Sequence, residues 1–197
     1  MKMILSSCDF HEDAPRKAIL ENLPKPVGEC RVLFIPNERA TPENLKNDMY
    51  FRRLRQKGFK KGSIFVFDHT RPEDFFGVET DVIYVSGGNT FLTLKKLRDA
   101  GFDGELARRI RAGTTYIGGS AGAHIVGKSV AHLTRYDECP DDFSDFRALG
   151  LYDGIFICHY GPERAAHFRA LKEAGENVTA LSNEQTVIVT ENGVRLT

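Results

Sequence analysis

The stretch that decides the fold is TTYIGGSAGAHIVG, which runs from Thr114 to Gly127. A short apolar, β-branched run leads into Gly118-Gly119-Ser120-Ala121-Gly122, and a segment of small residues follows. This order indicates a buried strand that turns sharply into a helix, with glycine where the backbone is most crowded. We therefore expect the Ser120 hydroxyl to stand clear of the sheet at a strand-to-helix turn.

The turn matches G-x-S-x-G, the pattern of a nucleophile elbow. In such a turn the N–H of the next residue, here Ala121, faces the negative oxygen that develops when the serine attacks a carbonyl. The helix directs its free N–H groups and positive dipole end to the same point. The alternative is a small-residue turn that only lets helix and sheet pack closely. The strand before the turn and the helix after it favour the nucleophile.

Apolar runs of about five residues alternate with helix-like stretches along the chain. The predicted strands are Met3–Ser6, Val32–Ile35, Ile64–Phe67, Val82–Val85, Thr115–Ile117 and Ile155–Cys158. The predicted helices are Ala14–Asn22, Pro42–Gln56, Phe91–Asp99, Glu105–Arg111 and Pro162–Ala174. This alternation predicts a single α/β domain over residues 1–197, an open and mostly parallel sheet with helices on both faces. Asn192-Gly193 predicts a C-terminal β-hairpin between 186–190 and 194–196.

Composition excludes several function classes. The 27 Lys and Arg residues balance the 27 Asp and Glu residues, so the net charge of zero argues against a nucleic-acid or membrane partner. No apolar run approaches the length that spans a membrane, and the N-terminal apolar run is too short for a signal peptide. The four cysteines show no CxxC spacing, which is typical of reduced thiols in a cytoplasmic protein.

A second glycine-rich turn, in DVIYVSGGNTFLTLKKL, again lies between a predicted strand and a predicted helix. Thr90 is the expected N-cap of that helix. The N–H of Gly88 could then face that of Ala121 across an oxyanion. Phosphate binding is a competing use of such a turn, but neither of the two common phosphate-loop patterns is present. A purely structural turn also stays open.

A nucleophilic serine needs a base, and His159 is the favoured candidate. It follows the apolar run Ile155-Phe156-Ile157-Cys158, so it ends a predicted strand at the same sheet edge as Ser120. His69 also ends a strand and is the rival, while His124 is expected to line the pocket. No two histidines have metal-ligand spacing, so we predict no metal. The orienting acid would come from TRYDECPDDFSDF, residues 134–146, but residue chemistry alone does not choose among its carboxylates.

The motifs SGGNTFLTLKKL and YIGGSAGAHI, with the strand that ends at His159, resemble the dipeptidase E (aspartyl dipeptidase) family of serine peptidases. Cyanophycinase is a more distant member. The resemblance implies a fold like that of class I glutamine amidotransferases. It also implies the site roles. By this resemblance Ser120 is the nucleophile, His159 the general base and Asp137 the orienting acid. Gly88 and Ala121 form the oxyanion hole.

The same resemblance implies a substrate class. It places Asn89, Arg164 and Glu184 at the substrate, with Arg164 pairing with an N-terminal aspartyl side chain and Glu184 as the reserve orienting acid. The expected substrates are short peptides, in particular dipeptides with an N-terminal aspartate (Asp-X). We expect no cofactor, and a monomer or homodimer as the working form. Two alternatives stay open: another serine hydrolase, such as an esterase or a peptidase without aspartyl preference, and a non-catalytic binding or stress protein of amidotransferase-like fold.

Overall fold

The computed structural model describes residues 1–197 and is built around a seven-stranded sheet in the order β3-β2-β4-β5-β1-β8-β9. The five strands from β3 to β1 are parallel, and β8 and β9 complete the sheet antiparallel to their neighbours. The strands are β1 (Lys2–Ser6), β2 (Val32–Ile35), β3 (Ile64–Val66), β4 (Val82–Val85), β5 (Thr115–Gly119), β6 (Ile155–Ile157), β7 (Val178–Ala180), β8 (Thr186–Thr190) and β9 (Gly193–Leu196). The predicted architecture and its C-terminal hairpin are confirmed.

Helices cover both faces of the sheet. They are α1 (Asp13–Glu21), α2 (Pro42–Lys46), α3 (Met49–Gln56), α4 (Thr90–Asp99), α5 (Asp103–Arg111), α6 (Ala121–His124) and α7 (Pro162–Glu173). Successive residues of a strand point to opposite faces, so Met3 and Leu5 of β1 pack in one core with α4, α5 and α6, while Ile4 packs in the other with α1 and α3. This two-sided burial explains why the central strands are continuously apolar.

The strand that leads to His159 differs from expectation. Strand β6 does not join the main sheet; it pairs in parallel with β7, with Ile155 opposite Val178, in a separate two-stranded sheet connected through α7. The outer side of β1 is already occupied by β8. An apolar run predicts a buried strand, but it does not say which strand is its neighbour.

The predicted helix Pro42–Gln56 is also two helices, α2 and α3. The chain leaves the helix at Asn47, whose backbone is extended, with φ −83° and ψ 164°. The Asn47 side-chain oxygen accepts a hydrogen bond from the N–H of Met49 at 2.9 Å. Asparagine competes in this way with the helical backbone, which breaks a segment that helical periodicity alone would join. None of the helices has the length and apolarity that a membrane crossing requires.

Candidate active site

Ser120 lies at a strained turn between β5 and α6. Its φ is +44° and its ψ −103°, a region that residues other than glycine rarely adopt. A Cβ added to Gly118 would lie 2.6 Å from the carbonyl oxygen of Gly122, and one added to Gly122 would lie 2.4 Å from that of Val85. Glycine is therefore required on both sides of the serine, for the reason that the sequence pattern indicates.

His159 faces the serine. The distance between Ser120 Oγ and His159 Nε2 is 3.0 Å. The backbone of His159 also has positive φ, +52°, and its N–H donates to Ser7 Oγ at 2.9 Å. The Ser7 hydroxyl in turn donates to the carbonyl of Leu181. His159 is thus brought to Ser120 by contacts with the segment after β1, although β6 lies outside the main sheet.

The second nitrogen of His159 contacts Asn183. The distance from His159 Nδ1 to Asn183 Oδ1 is 2.8 Å. An amide oxygen can only accept, so this bond places the proton on Nδ1 and leaves Nε2 free to accept from Ser120. Sequence reasoning missed Asn183 because it searched for a carboxylate. The sequence did indicate the right segment, because Asn183 directly precedes Glu184, the reserve candidate for the orienting acid. Glu184 itself is exposed and makes no side-chain hydrogen bond.

The structure places Asp137 elsewhere. Its Oδ2 accepts from the backbone N–H of Thr90 at 2.8 Å, at the N-terminus of α4, and it makes no hydrogen bond with His159. A second carboxylate, that of Glu38, accepts from the N–H of Asn89 at 2.9 Å. Negative charge is favourable at a helix N-terminus. Asp137 and Glu38 therefore hold the turn that leads into α4.

Asn89 shapes the same turn. Its side chain accepts from the N–H of Leu92 at 3.0 Å and donates to the carbonyl of Glu138 at 2.8 Å. Asn89, rather than the expected Thr90, is therefore the N-cap of α4. Thr90 Oγ1 contacts the buried His124 instead.

The two glycines of this turn pack against Ser120 and Glu38, respectively. A Cβ on Gly87 would lie 3.2 Å from Ser120 Cβ, and one on Gly88 would lie 2.2 Å from Glu38 Oε2. The N–H of Gly88 makes no hydrogen bond within the chain. The N–H of Ala121 belongs to the first residue of α6, where no intrahelical acceptor exists. Both expected oxyanion donors thus have N–H groups without an acceptor in the chain.

The remaining histidines have other surroundings. His124 is buried, contacts Thr90 Oγ1 at 3.0 Å and accepts from the N–H of Cys158. Burial holds the pKa of His124 well below its usual range, with a smaller effect from His132. His69 lines a different cavity beside Lys96, and burial lowers its pKa as well. Neither imidazole makes a hydrogen bond with the Ser120 hydroxyl, which contacts His159. No three His, Cys, Asp or Glu side chains come together as a possible metal site.

Arg164 contacts the backbone and an aromatic ring. Its Nη1 donates to the carbonyl of Cys158, and its guanidinium lies 4.1 Å from the centre of the Tyr136 ring. Its side chain is 19% exposed. In this arrangement the donors predicted to bind a substrate carboxylate are turned toward the backbone next to His159.

Ser120 and His159 open into a cleft of about 1320 Å³. The cleft carries both signs of charge: the basic residues His11, Arg39, Arg53 and Lys57 line it together with the acidic residues Asp9, Glu38, Asp137 and Glu138. A cavity of this size accommodates a small molecule or a short peptide. The mixed charges suit a ligand that is itself a zwitterion.

A serine at a strained turn, against a histidine whose other nitrogen is fixed by an acceptor, is the arrangement with which serine hydrolases activate a hydroxyl. The chain belongs to peptidase family S51, whose model matches residues 3–197. The predicted relationship to the peptidase E proteins is confirmed, and membership of this family supports the prediction of a serine peptidase.

The relatives agree with this membership. An uncharacterized peptidase of Listeria innocua, Lin0382, is 31% identical over 137 residues, which are 66% of this chain and 64% of that protein. A peptidase E of Salmonella arizonae is 39% identical over 74 residues, 38% of this chain and 31% of that protein. The chain thus matches less than two thirds of the length of these relatives.

A solved structure from Listeria monocytogenes EGD-e, provisionally assigned as a peptidase E, has the same fold. It superposes with a TM-score of 0.77 at 22% identity and covers 100% of this chain and 97% of its own. At this identity the likeness concerns the fold.

Proposed function

We propose that this chain is a serine peptidase that cleaves short peptides through an acyl-enzyme on Ser120. The observation that carries the proposal is the 3.0 Å contact between Ser120 Oγ and His159 Nε2, with His159 Nδ1 fixed by Asn183. Family membership supports the same reaction class.

In the proposed mechanism Ser120 Oγ attacks the scissile carbonyl carbon while its proton passes to His159 Nε2. The carbonyl oxygen becomes an oxyanion that the N–H groups of Gly88 and Ala121 bind; one such donor contributes about 3 kcal/mol in related sites. The C–N bond then breaks, and His159 gives its proton to the leaving amine. A water molecule, deprotonated by the same histidine, releases the acid product and restores Ser120.

We propose that Asn183, rather than Asp137, orients the imidazole. A neutral amide fixes the tautomer but supplies no charge to the imidazolium that forms during attack. Asp137 then has an indirect, positioning role. Together with Glu38 it fixes the backbone from Asn89 to Thr90, and through that backbone it sets the direction of the Gly88 N–H. Both roles rest on the hydrogen bonds of the site.

The preference for N-terminal aspartate is a finer proposal. It is supported by the resemblance to the aspartyl dipeptidases and by the cationic residues Arg53 and Lys57 along the cleft. Arg164 would contribute only after leaving Cys158 and Tyr136. A panel of Asp-Leu, Glu-Leu, Asn-Leu and Ala-Leu tests the preference directly.

The reaction itself is tested with a fluorophosphonate probe, which labels an activated serine whatever the peptide preference. We expect label on Ser120, located by peptide mass spectrometry, and hydrolysis of at least one dipeptide of the panel. Ser120→Ala should lose both, and His159→Ala should lose most of both. Ser144→Ala, at an exposed serine, is the matched control and should keep both. A folded wild-type chain that takes no label would instead favour the non-catalytic alternative, and cleavage of esters without dipeptides would favour the esterase.

A further inference from the structure

Asp9 is a buried carboxylate in the wall of the cleft that contains Ser120 and His159. It follows β1, and its side chain is only 5% exposed. Its Oδ1 accepts from the N–H of Phe10 at 2.8 Å and its Oδ2 from the hydroxyl of Tyr84 at 2.9 Å. The mechanism proposed above uses neither Asp9 nor Tyr84.

No close cation neutralises this carboxylate. The nearest is His11, whose Nε2 lies 3.9 Å from Oδ1 on a side chain that is 80% exposed. Lys57 also lines the cleft, but its ammonium lies over the Phe10 ring, 5.0 Å from the ring centre, and forms no salt bridge with Asp9. A carboxylate can accept about four hydrogen bonds, and only two are made here. Buried charges are normally paired, but apart from the exposed His11 no cation lies within salt-bridge distance of Asp9.

The backbone marks the same residue. Only three non-glycine residues have positive φ: Asp9 at +41°, Ser120 at +44° and His159 at +52°. All three line one cleft. Strained backbone of this kind persists where the surrounding structure enforces it, and it concentrates at functional sites. Asp9 thus shares a rare feature with the nucleophile and the base.

The carboxylate also lies beside the nucleophile. A Cβ built on Gly119 would lie 2.1 Å from Asp9 Oδ2, so the Asp9 side chain occupies the space that a side chain at position 119 would need. Standard bond lengths then put Oδ2 within about 7.5 Å of the Ser120 Cα atom. In a peptide, the terminal nitrogen is about 2.5 Å from the carbonyl carbon of the same residue. A first residue held for attack by Ser120 can therefore bring its ammonium to Asp9.

We propose that Asp9 is the binding site for the free N-terminal ammonium of the peptide substrate. This inference rests on the proposed function, because it gives that cleft its substrate class: peptides with an unblocked first residue, cut after that residue. Tyr84 holds the carboxylate in place by donating its hydroxyl hydrogen to Oδ2. Gly119 is the residue that leaves room for the contact.

The test compares L-alanine p-nitroanilide with N-acetyl-L-alanine p-nitroanilide, which lacks the ammonium. We expect wild-type kcat/KM to be at least about ten-fold higher for the free amine. Asp9→Asn and Asp9→Ser should lower it about thirty-fold for the free amine, chiefly through KM, the lower range for removing one partner of a buried charge pair. Both should leave the acetylated substrate unchanged. Asp141→Asn, at an exposed aspartate outside the cleft, should change neither.

Three results would overturn the inference. One is equal wild-type kcat/KM for the two substrates, which decides the matter even when the Asp9 variants do not fold. Another is an equal loss on both substrates, which would make Asp9 a support of the turn. The third is a loss confined to N-acetyl-L-lysine p-nitroanilide, which would assign the carboxylate to a side-chain cation.

A binding measurement separates this inference from the proposed reaction. Ser120→Ala protein should bind L-alaninamide in calorimetry, and N-acetyl-L-alaninamide at least ten-fold more weakly. Adding Asp9→Asn should remove the difference. If wild type cleaves no substrate but this difference is present and depends on Asp9, the proposed function fails and the ammonium site stands. If cleavage occurs and the difference does not depend on Asp9, the reverse holds.

Discussion

Replacing Asn183 with aspartate puts a negative charge where a neutral amide oxygen now lies 2.8 Å from His159 Nδ1. When His159 takes the Ser120 proton it becomes a cation, which a carboxylate would stabilise more than an amide does. We therefore expect Asn183→Asp to make Ser120 react faster than in the wild-type chain. Asn183→Ala, which removes the acceptor, should make it react more slowly.

The size of the effect follows from distance and exposure. Two unit charges about 4 Å apart attract by about 1 kcal/mol in water and about 4 kcal/mol at an effective dielectric constant of about 20. Asn183 is exposed, so solvent screens the interaction and its energy lies toward the lower of these two values, at about 1–2 kcal/mol. This energy corresponds to a rate gain of about five- to thirty-fold. Loss of the hydrogen bond in Asn183→Ala removes about 0.5–1.5 kcal/mol, which slows the reaction by up to about ten-fold.

The assay is the second-order rate constant for labelling by a fluorophosphonate, followed by intact-protein mass spectrometry. This rate depends on the nucleophile, base and oxyanion donors but not on the choice of peptide. Glu184→Gln, at the exposed neighbouring residue, is the matched control and should stay within about two-fold of wild type. The reasoning is refuted if Asn183→Asp is no faster than wild type, or if Asn183→Ala reacts at the wild-type rate. A large loss in Glu184→Gln would move the orienting role to that residue.

Three further changes test the rest of the site. Asp137→Asn keeps an acceptor for the Thr90 N–H, so labelling should slow by about ten-fold or less; a loss near 10,000-fold, the scale for an orienting aspartate, would return Asp137 to the triad. Burial raises the pKa of the Asp9 carboxyl in the folded chain. The unfolded chain therefore releases this proton at a lower pH than the folded chain does. As a result, the free energy of unfolding falls as the pH rises from about 4 through the raised pKa of folded Asp9. Asp9→Asn should therefore raise the free energy of unfolding at pH 7.5 by about 1 kcal/mol, seen as a higher urea midpoint. At pH 3.5 the midpoint should not rise. An unchanged midpoint at pH 7.5 would contradict this prediction. Arg164→Met should lower cleavage of Asp-Leu and Ala-Leu equally, since its guanidinium supports the backbone of Cys158; a loss confined to Asp-Leu would show Arg164 to be the selector.

The sequence predicts the architecture well because local patterns carry it. Buried parallel strands are continuously apolar, and the glycines around Ser120 reflect atomic crowding that the structure reproduces at Gly118 and Gly122. Long-range partners are different. Nothing in the run Ile155–Cys158 says that it pairs with 178–180 instead of the main sheet, because strand neighbours are set by the packing of the whole chain.

The same limit applies within the site. His159 was predictable because it ends a strand, but its partner was not, since the loop 182–185 offers several polar side chains and only the fold chooses Asn183. Asp9 gave a weak signal of the same kind. It follows the apolar strand β1, where side chains gather at the carboxyl edge of a parallel sheet. Its burial and its positive φ belong to the folded chain alone.

The segment from Ser6 to Asp9 connects two distant parts of the chain, the turn at Ser120 and the segment at His159. The carbonyl of Ser6 accepts from the N–H of Ser120 at 2.9 Å, and the hydroxyl of Ser7 accepts from the N–H of His159 at 2.9 Å. The hydroxyl of Ser6 also accepts from the N–H of Asp9 at 2.9 Å. Each of the three residues with positive φ therefore donates its own N–H to one of two adjacent serines at the end of β1. Because all three bonds start from one rigid strand end, the strain at each residue is held by the same support. The end of β1 thus contributes directly to the spacing of Ser120, His159 and Asp9.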